Sequence, residues 1–245
     1  MADSDQTEKN PFWRIRPFAE IRDSIYPGLI PYEMNEKRLT GLVHRRFLDL
    51  AVVFYVAVFQ DDGFFGSMLI SRTLAELWGI TESALHVLAF ENGKKQPAVT
   101  LTLPQIVKEY LTDRYRALGY APEKIQAEVD PAVEKVSQRL HSDRRFPEGM
   151  FYLTNHIRCY GAACILYPDV LRKLSGEGKR DLYLIPAGIH GIFLVPAGER
   201  TDVRYMKERA EEFLRRERGR ADWLSDHLYR YLADRDVIEM VPLQE

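Results

Sequence analysis

The sequence predicts an α+β domain, a mostly antiparallel sheet with helices packed chiefly on one face. Three observations carry that expectation. From Phe47 to Phe59 the chain is β-branched, aromatic and apolar on both alternating faces apart from Asp49, which is the composition of a central strand. Segments with apolar residues at helical spacing, opened by Ser71, Thr81, Pro104 or Thr201, interrupt the strands. Two late pairs of short apolar runs, 181–186 with 192–196 and 228–232 with 237–241, stand close enough together to fold as hairpins.

In chain order, residues 1–11 are polar and read as a flexible tail, and residues 12–245 as a single domain. Residues 26–32 carry Pro27, Gly28 and Pro31 and read as an extended or turning piece. Asn35 is placed to cap a short helix reaching about Leu42. After the strand from Phe47, the turn Asp61-Asp62-Gly63 returns the chain to a partner strand at 67–70. A short helix follows from Ser71 to Gly79, and Thr81 opens a second one ending near Glu91. Residues 104–118 form a helix, and 122–140 read as two short helices divided by Pro131; together they make a peripheral helical lobe near 104–145. Met150 opens a strand, 160–167 is ambiguous between strand and helix, and Pro168 starts a short helix stopped by Gly176 and Gly178. The helix from Thr201 to about Arg218 places Glu211 and Glu212 four residues before Arg215 and Arg216.

At 245 residues the chain can bury a sizeable core, and 46% hydrophobic with 29% charged residues excludes the disordered and membrane classes. A net charge of -2 provides no global field for nucleic acid. The 2 cysteines make no disulfide framework and read as reduced thiols, which together with an amino terminus lacking an apolar signal core places the protein in the cytoplasm.

Several phrases occur in a characteristic order: Ile25 to Tyr32 (IYPGLIPY), Arg45 to Tyr55 (RRFLDLAVVFY), Leu77 to Thr81 (LWGIT), Phe151 to Asn155 (FYLTN), Tyr160 to Pro168 (YGAACILYP) and Leu224 to Asp226 (LSD). They resemble the bacterial family catalogued as domain of unknown function 5688 over roughly residues 21–241, and more distantly domain of unknown function 1444. The resemblance implies no activity. Where the resembled family tends to read Pro-Ser-Ser-x-His-Glu, this chain has Pro186-Ala187-Gly188-Ile189-His190-Gly191, so two hydroxyls and a carboxylate are missing and only His190 carries over.

The candidate catalytic residues are His190, Cys164 and Asp49. A histidine titrates near neutral pH and a thiol needs a neighbouring base, but a turn-fixing histidine and a small apolar core cysteine account for the first two. Asp49 in an apolar strand needs a partner, and Arg45 and Arg46 are close in sequence. The candidate binding residues are Arg215, Arg216, Arg218 and Arg220, with Lys94 and Lys95 as possible neighbours, although interleaved glutamates favour a solvated helix face. Thr154 and Asn155 read as turn residues. His156, Cys159 and Cys164 have ligand chemistry without a fourth ligand, so no metal is expected, and the absence of a glycine-rich phosphate loop leaves no cofactor expected either. The leading expectation is a non-enzymatic binding or interaction domain with a protein or small-molecule partner. A hydrolase-like enzyme using Cys164 or Asp49 with His190 is the alternative, and a nucleic-acid-associated accessory protein using the arginine-rich helix end is a third.

Overall fold

Residues 16–59, 65–142, 149–198 and 221–242, together with Asp202, Tyr205 and Glu208, are described in the computed structural model. The tail, most of the helix expected from Thr201, and the arginines at 215–220 lie outside the described residues. After a single turn of helix, α1 (Phe18–Ile21), the chain enters β1 (Ile25–Pro31), so the proline-bearing stretch is extended. β1 borders its sheet, where Pro27 and Pro31 are tolerated because an edge strand leaves some backbone groups outside the ladder. The short α2 (Glu36–Leu39) follows; Asn35 donates from its side chain to the Pro31 carbonyl at 3.0 Å and does not cap the helix.

The strand expected from Phe47 is broken. β2 (His44–Phe47) turns back through Leu48 and Asp49 into β3 (Leu50–Phe59), with Leu48 at φ 55°. β3 is the centre of the first sheet. β1 pairs along one side, Ile25 opposite Val56 through Pro31 opposite Leu50, while β2 and β4 (Phe65–Leu69) share the other side end to end. Residues 50–57 are buried on both faces, as the alternation requires.

α3 (Arg72–Leu77) and α4 (Glu82–Lys95) begin where Ser71 and Thr81 accept from the backbone N–H groups of Leu74 and Ala84. α4 runs through Asn92 and Gly93, where the expected helix stops short. The buried Asn92 amide donates to the carbonyls of Arg22 and Ile25, and Gly93 leaves room for the Tyr167 ring, so tertiary partners override a local stop signal. β5 (Ala98–Leu101) leads to α5 (Leu103–Ala117), opened by a reciprocal capping box between Thr102 and Gln105. α6 (Pro122–Ser142) packs against α5 as one continuous helix and not two. Pro131 lies inside it. The apolar series Ile125, Val129, Val133, Val136 and Leu140 passes through that proline in phase, and its packing offsets a lost backbone bond worth about 3 kcal/mol.

β6 (Phe151–Asn155) leads to a 3-10 helix, Gly161–Leu166, which resolves the ambiguous stretch, and then to α7 (Val170–Leu174). β7 (Leu182–Gly188) and β8 (Gly191–Pro196) form one late hairpin, β9 (Tyr229–Leu232) and β10 (Val237–Met240) the other. The second sheet is wholly antiparallel in the order β10-β9-β7-β8-β6-β5. The α+β class is therefore found, with the strands divided between two sheets. One buried cluster joins them: Leu29, Val52 and Phe54 from the first, Leu153, Leu184 and Leu194 from the second, and Ala162 to Ile165 of the 3-10 helix. That helix packs on β1 as well as on β6 and β8. Its small residues let both sheets approach, and each buried leucine contributes about 1.5–3 kcal/mol.

Candidate functional site

Residues 150–191, which hold both cysteines and His190, form a tightly bonded structural unit. Gly161 starts the 3-10 helix against β6 and the β7–β8 turn, and Ala162 N–H donates to the Ile189 carbonyl at 3.2 Å. The Thr154 hydroxyl donates to the His190 carbonyl at 2.7 Å. Tyr160 N–H donates to His190 Nδ1 at 3.3 Å, which makes that nitrogen an acceptor and puts the ring proton on Nε2. Burial lowers the His190 pKa, so the ring is neutral at pH 7. Asn155 is buried, donating to the Cys159 carbonyl and accepting from Cys159 N–H. Cys164 is 0% exposed, and burial pushes its thiol up to about 12, against the formation of a thiolate. Cys159 is raised to about 11 for the same reason.

Asp49 stands elsewhere. From the β2–β3 turn its Oδ2 accepts from the Ser225 hydroxyl at 2.7 Å and from His227 Nδ1 at 3.0 Å, and its Oδ1 accepts from the Tyr229 hydroxyl at 2.7 Å. Neither arginine expected to pair with it does so. Arg45 reaches Glu82 at 2.9 Å, and Arg46 donates to the Leu48 carbonyl and lies over the Tyr32 ring. The register explains this: on β2, Arg45 stands opposite Val52 and Arg46 opposite Ala51, while Asp49 lies in the turn itself and its carboxylate reaches Ser225, His227 and Tyr229. Aspartate, histidine and serine here do not form a nucleophilic triad. Ser225 is buried and bonds on the same Nδ1 side as Asp49, whereas a nucleophile must meet the opposite ring nitrogen. His227 Nε2 has no hydrogen-bond partner among the described residues, and the side chain is 41% exposed.

A groove of about 510 Å³ opens between β2 and α4. Phe47, Val52, Phe90 and Leu166 make its apolar lining, with Arg45, Arg46, Lys94 and the carboxylate of Glu91 around it. Helical spacing aligns His86, Phe90 and Lys94 along α4. The His86 and Phe90 rings stack with centroids 4.5 Å apart, and burial lowers the His86 pKa, with the nearby Arg45 acting in the same direction. Arg45 and Lys94 are paired with Glu82 and Glu91, respectively; Arg46 has no carboxylate partner among the described residues.

The structure therefore joins Asp49 to two residues that local sequence reasoning passes over, Ser225 and His227. The phrase Leu224-Ser225-Asp226 and the apolar run at 228–232 are the sequence signals beside them. Bonds of Asp49 to His190 or Cys164 are not among its contacts. Among the described residues no three His, Cys, Asp or Glu side chains stand together as a metal site, and no helix is long and apolar enough to cross a membrane.

Fold and site together define a two-sheet α+β arrangement with a polar node at Asp49 and an apolar groove with Arg46 at its rim. The chain belongs to the Family of unknown function (DUF5688), whose model matches residues 2–233. No curated protein and no solved structure matches it.

Proposed function

We propose that this chain is a non-enzymatic cytoplasmic binding domain whose ligand seat is the groove between β2 and α4, and that the ligand is an amphipathic anion. The observation that supports this reading is Arg46, a cation without a carboxylate partner at the rim of a cavity lined by Phe47, Val52, Phe90 and Leu166. Its volume of about 510 Å³ suits a small molecule. An apolar body would lie on the two phenylalanines, and an anionic head would be drawn to Arg46. Dodecanoate serves as the probe in calorimetric titration. Binding is expected to weaken at least tenfold in Arg46→Glu, whose side chain is exposed and outside the core. Equal binding by dodecyltrimethylammonium, or unchanged dodecanoate binding by Arg46→Glu, would overturn the reading.

A hydrolase-like enzyme is the second reading. The 3.0 Å contact of Asp49 with His227 Nδ1 favours His227 over His190 as its base. Asp49 would orient the ring and stabilise its charge while Nε2 takes a proton from water. This reading expects hydrolysis of p-nitrophenyl acetate by the purified protein to fall at least tenfold in His227→Gln. Equal rates in the variant and the parent would remove it.

A further inference from the structure

β10 is the outermost strand of the six-stranded sheet. Val241 N–H donates to the Leu228 carbonyl at 2.8 Å, and the register continues that bonded phase at Glu239 opposite Arg230 and Val237 opposite Leu232. In an antiparallel ladder, bonded and non-bonded pairs alternate, so the N–H and C=O groups of Ile238 and Met240 point away from β9. Among the described residues no strand meets them. Such a row is a template for another strand. Ile238 packs against the main core, and Met240 shares its face, whereas Glu239 points to the other side. Beside Ile238 a cavity of about 390 Å³ opens toward Phe47, Pro168 and Asp169.

We infer that this edge receives an extended strand from a partner protein, apolar where it faces Ile238 and Met240 and basic where it faces Glu239. Charge complementarity selects the basic position. Residues 234–239 hold three carboxylates, Asp234, Asp236 and Glu239, against the single guanidinium of Arg235, which lies 3.8 Å from Glu239, and Arg230 opposite Glu239 is held by Asp181 at 2.7 Å, so the edge keeps an excess of negative charge. The same charges disfavour a second copy of this chain. In the symmetric register that pairs Ile238 with Met240 and Met240 with Ile238, Glu239 stands opposite its own copy in a non-hydrogen-bonded pair, where side chains are closest. A heterologous strand with lysine or arginine at that point turns the repulsion into attraction. Main-chain bonds at Ile238 and Met240 supply affinity, and the alternating side chains supply specificity. This surface shares Phe47 and Pro168 with the proposed anion seat but takes the opposite charge, so the two are separable.

The test uses the full chain with two fluorescent peptides, acetyl-Val-Lys-Val-Lys-Val-amide and its counterpart with glutamate in place of lysine, read by fluorescence anisotropy. The lysine peptide is expected to bind saturably and at least tenfold more tightly than the glutamate peptide. Met240→Pro removes an outward N–H that the β9 ladder does not use, and should weaken that binding at least tenfold. Glu239→Lys should reverse the preference between the peptides, and it decides the matter if Met240→Pro fails to fold. Unchanged binding in Met240→Pro would mean nonspecific attraction. That result, no binding of either peptide, an unchanged preference in Glu239→Lys, or a homodimer lost in Met240→Pro by native mass spectrometry would each overturn the inference.

Discussion

Replacing Gly161 by alanine is expected to remove at least about 3 kcal/mol of stability, a large share of the roughly 5–15 kcal/mol typical of a folded domain. A Cβ at this position would lie 2.6 Å from the His190 carbonyl oxygen and 2.7 Å from Asn155 N, and would also meet the Thr154 hydroxyl. Two of these three neighbours are backbone atoms. They belong to β6 and to the β7–β8 turn, and neither can retreat without breaking the bonds that hold the 3-10 helix between the sheets. Overpacking a yielding core costs about 1–3 kcal/mol; one that opposes three anchored elements belongs at or above the top of that range. Gly41 is the control, because its φ is not in the left-handed region and the nearest atom to an added Cβ is the Arg38 carbonyl at 3.7 Å. The urea midpoint should fall sharply for Gly161→Ala and hardly move for Gly41→Ala. A loss below about 1 kcal/mol for Gly161→Ala would show that the junction yields, and that residues 150–191 are not the rigid centre described above.

That junction also shows what was legible in the sequence. The alternation of Leu50 to Ala57 told correctly that both faces are buried, and Ser71 and Thr81 marked helix starts because an N-cap is a local event. The late hairpins were visible for the same reason: their strands and turns are neighbours in sequence. Local patterns failed where distant partners decide. Leu48 adopts a positive φ without any turn residue at its own position, so the break between β2 and β3 left Asp49 as its single trace. Asn92-Gly93 resembles a helix end until the carbonyls of Arg22 and Ile25 are brought to the amide. The Asp49 node was half legible. A carboxylate in an apolar run must find partners, but Ser225 and Tyr229 lie 176 and 180 residues away, beyond the reach of any spacing rule. In the groove, Lys94 joins the His86 and Phe90 face only because the helix runs past the expected stop near Glu91, and nothing local says that Phe47 and Leu166 complete the cavity.

Asp49→Asn is expected to cost about 2–4 kcal/mol, because the carboxylate accepts from three donors and an amide cannot. If the asparagine oxygen faces Tyr229, its NH2 group confronts the hydroxyl of Ser225 and the Nδ1 of His227. If it faces that pair, the NH2 group meets the Tyr229 hydroxyl. Ser225 and Tyr229 are each 1% exposed, so water cannot freely replace the lost acceptor. Tyr229→Phe removes one donor together with its need for an acceptor and should cost only about 1 kcal/mol. The double variant should then be more stable than the sum of the two losses by about 1 kcal/mol, since the amide can turn toward the vacated hydroxyl position. Urea unfolding of the four proteins measures this coupling, and a loss within about 0.5 kcal/mol of zero for Asp49→Asn would show the node to be idle. His227→Gln completes the comparison. If it is nearly neutral while Asp49→Asn is severe, the stability resides in the buried Ser225 and Tyr229 bonds, and the half-exposed imidazole is the member of the node with chemistry to spare. If it is equally severe, His227 is a structural bolt between the two sheets and the hydrolytic reading loses its base.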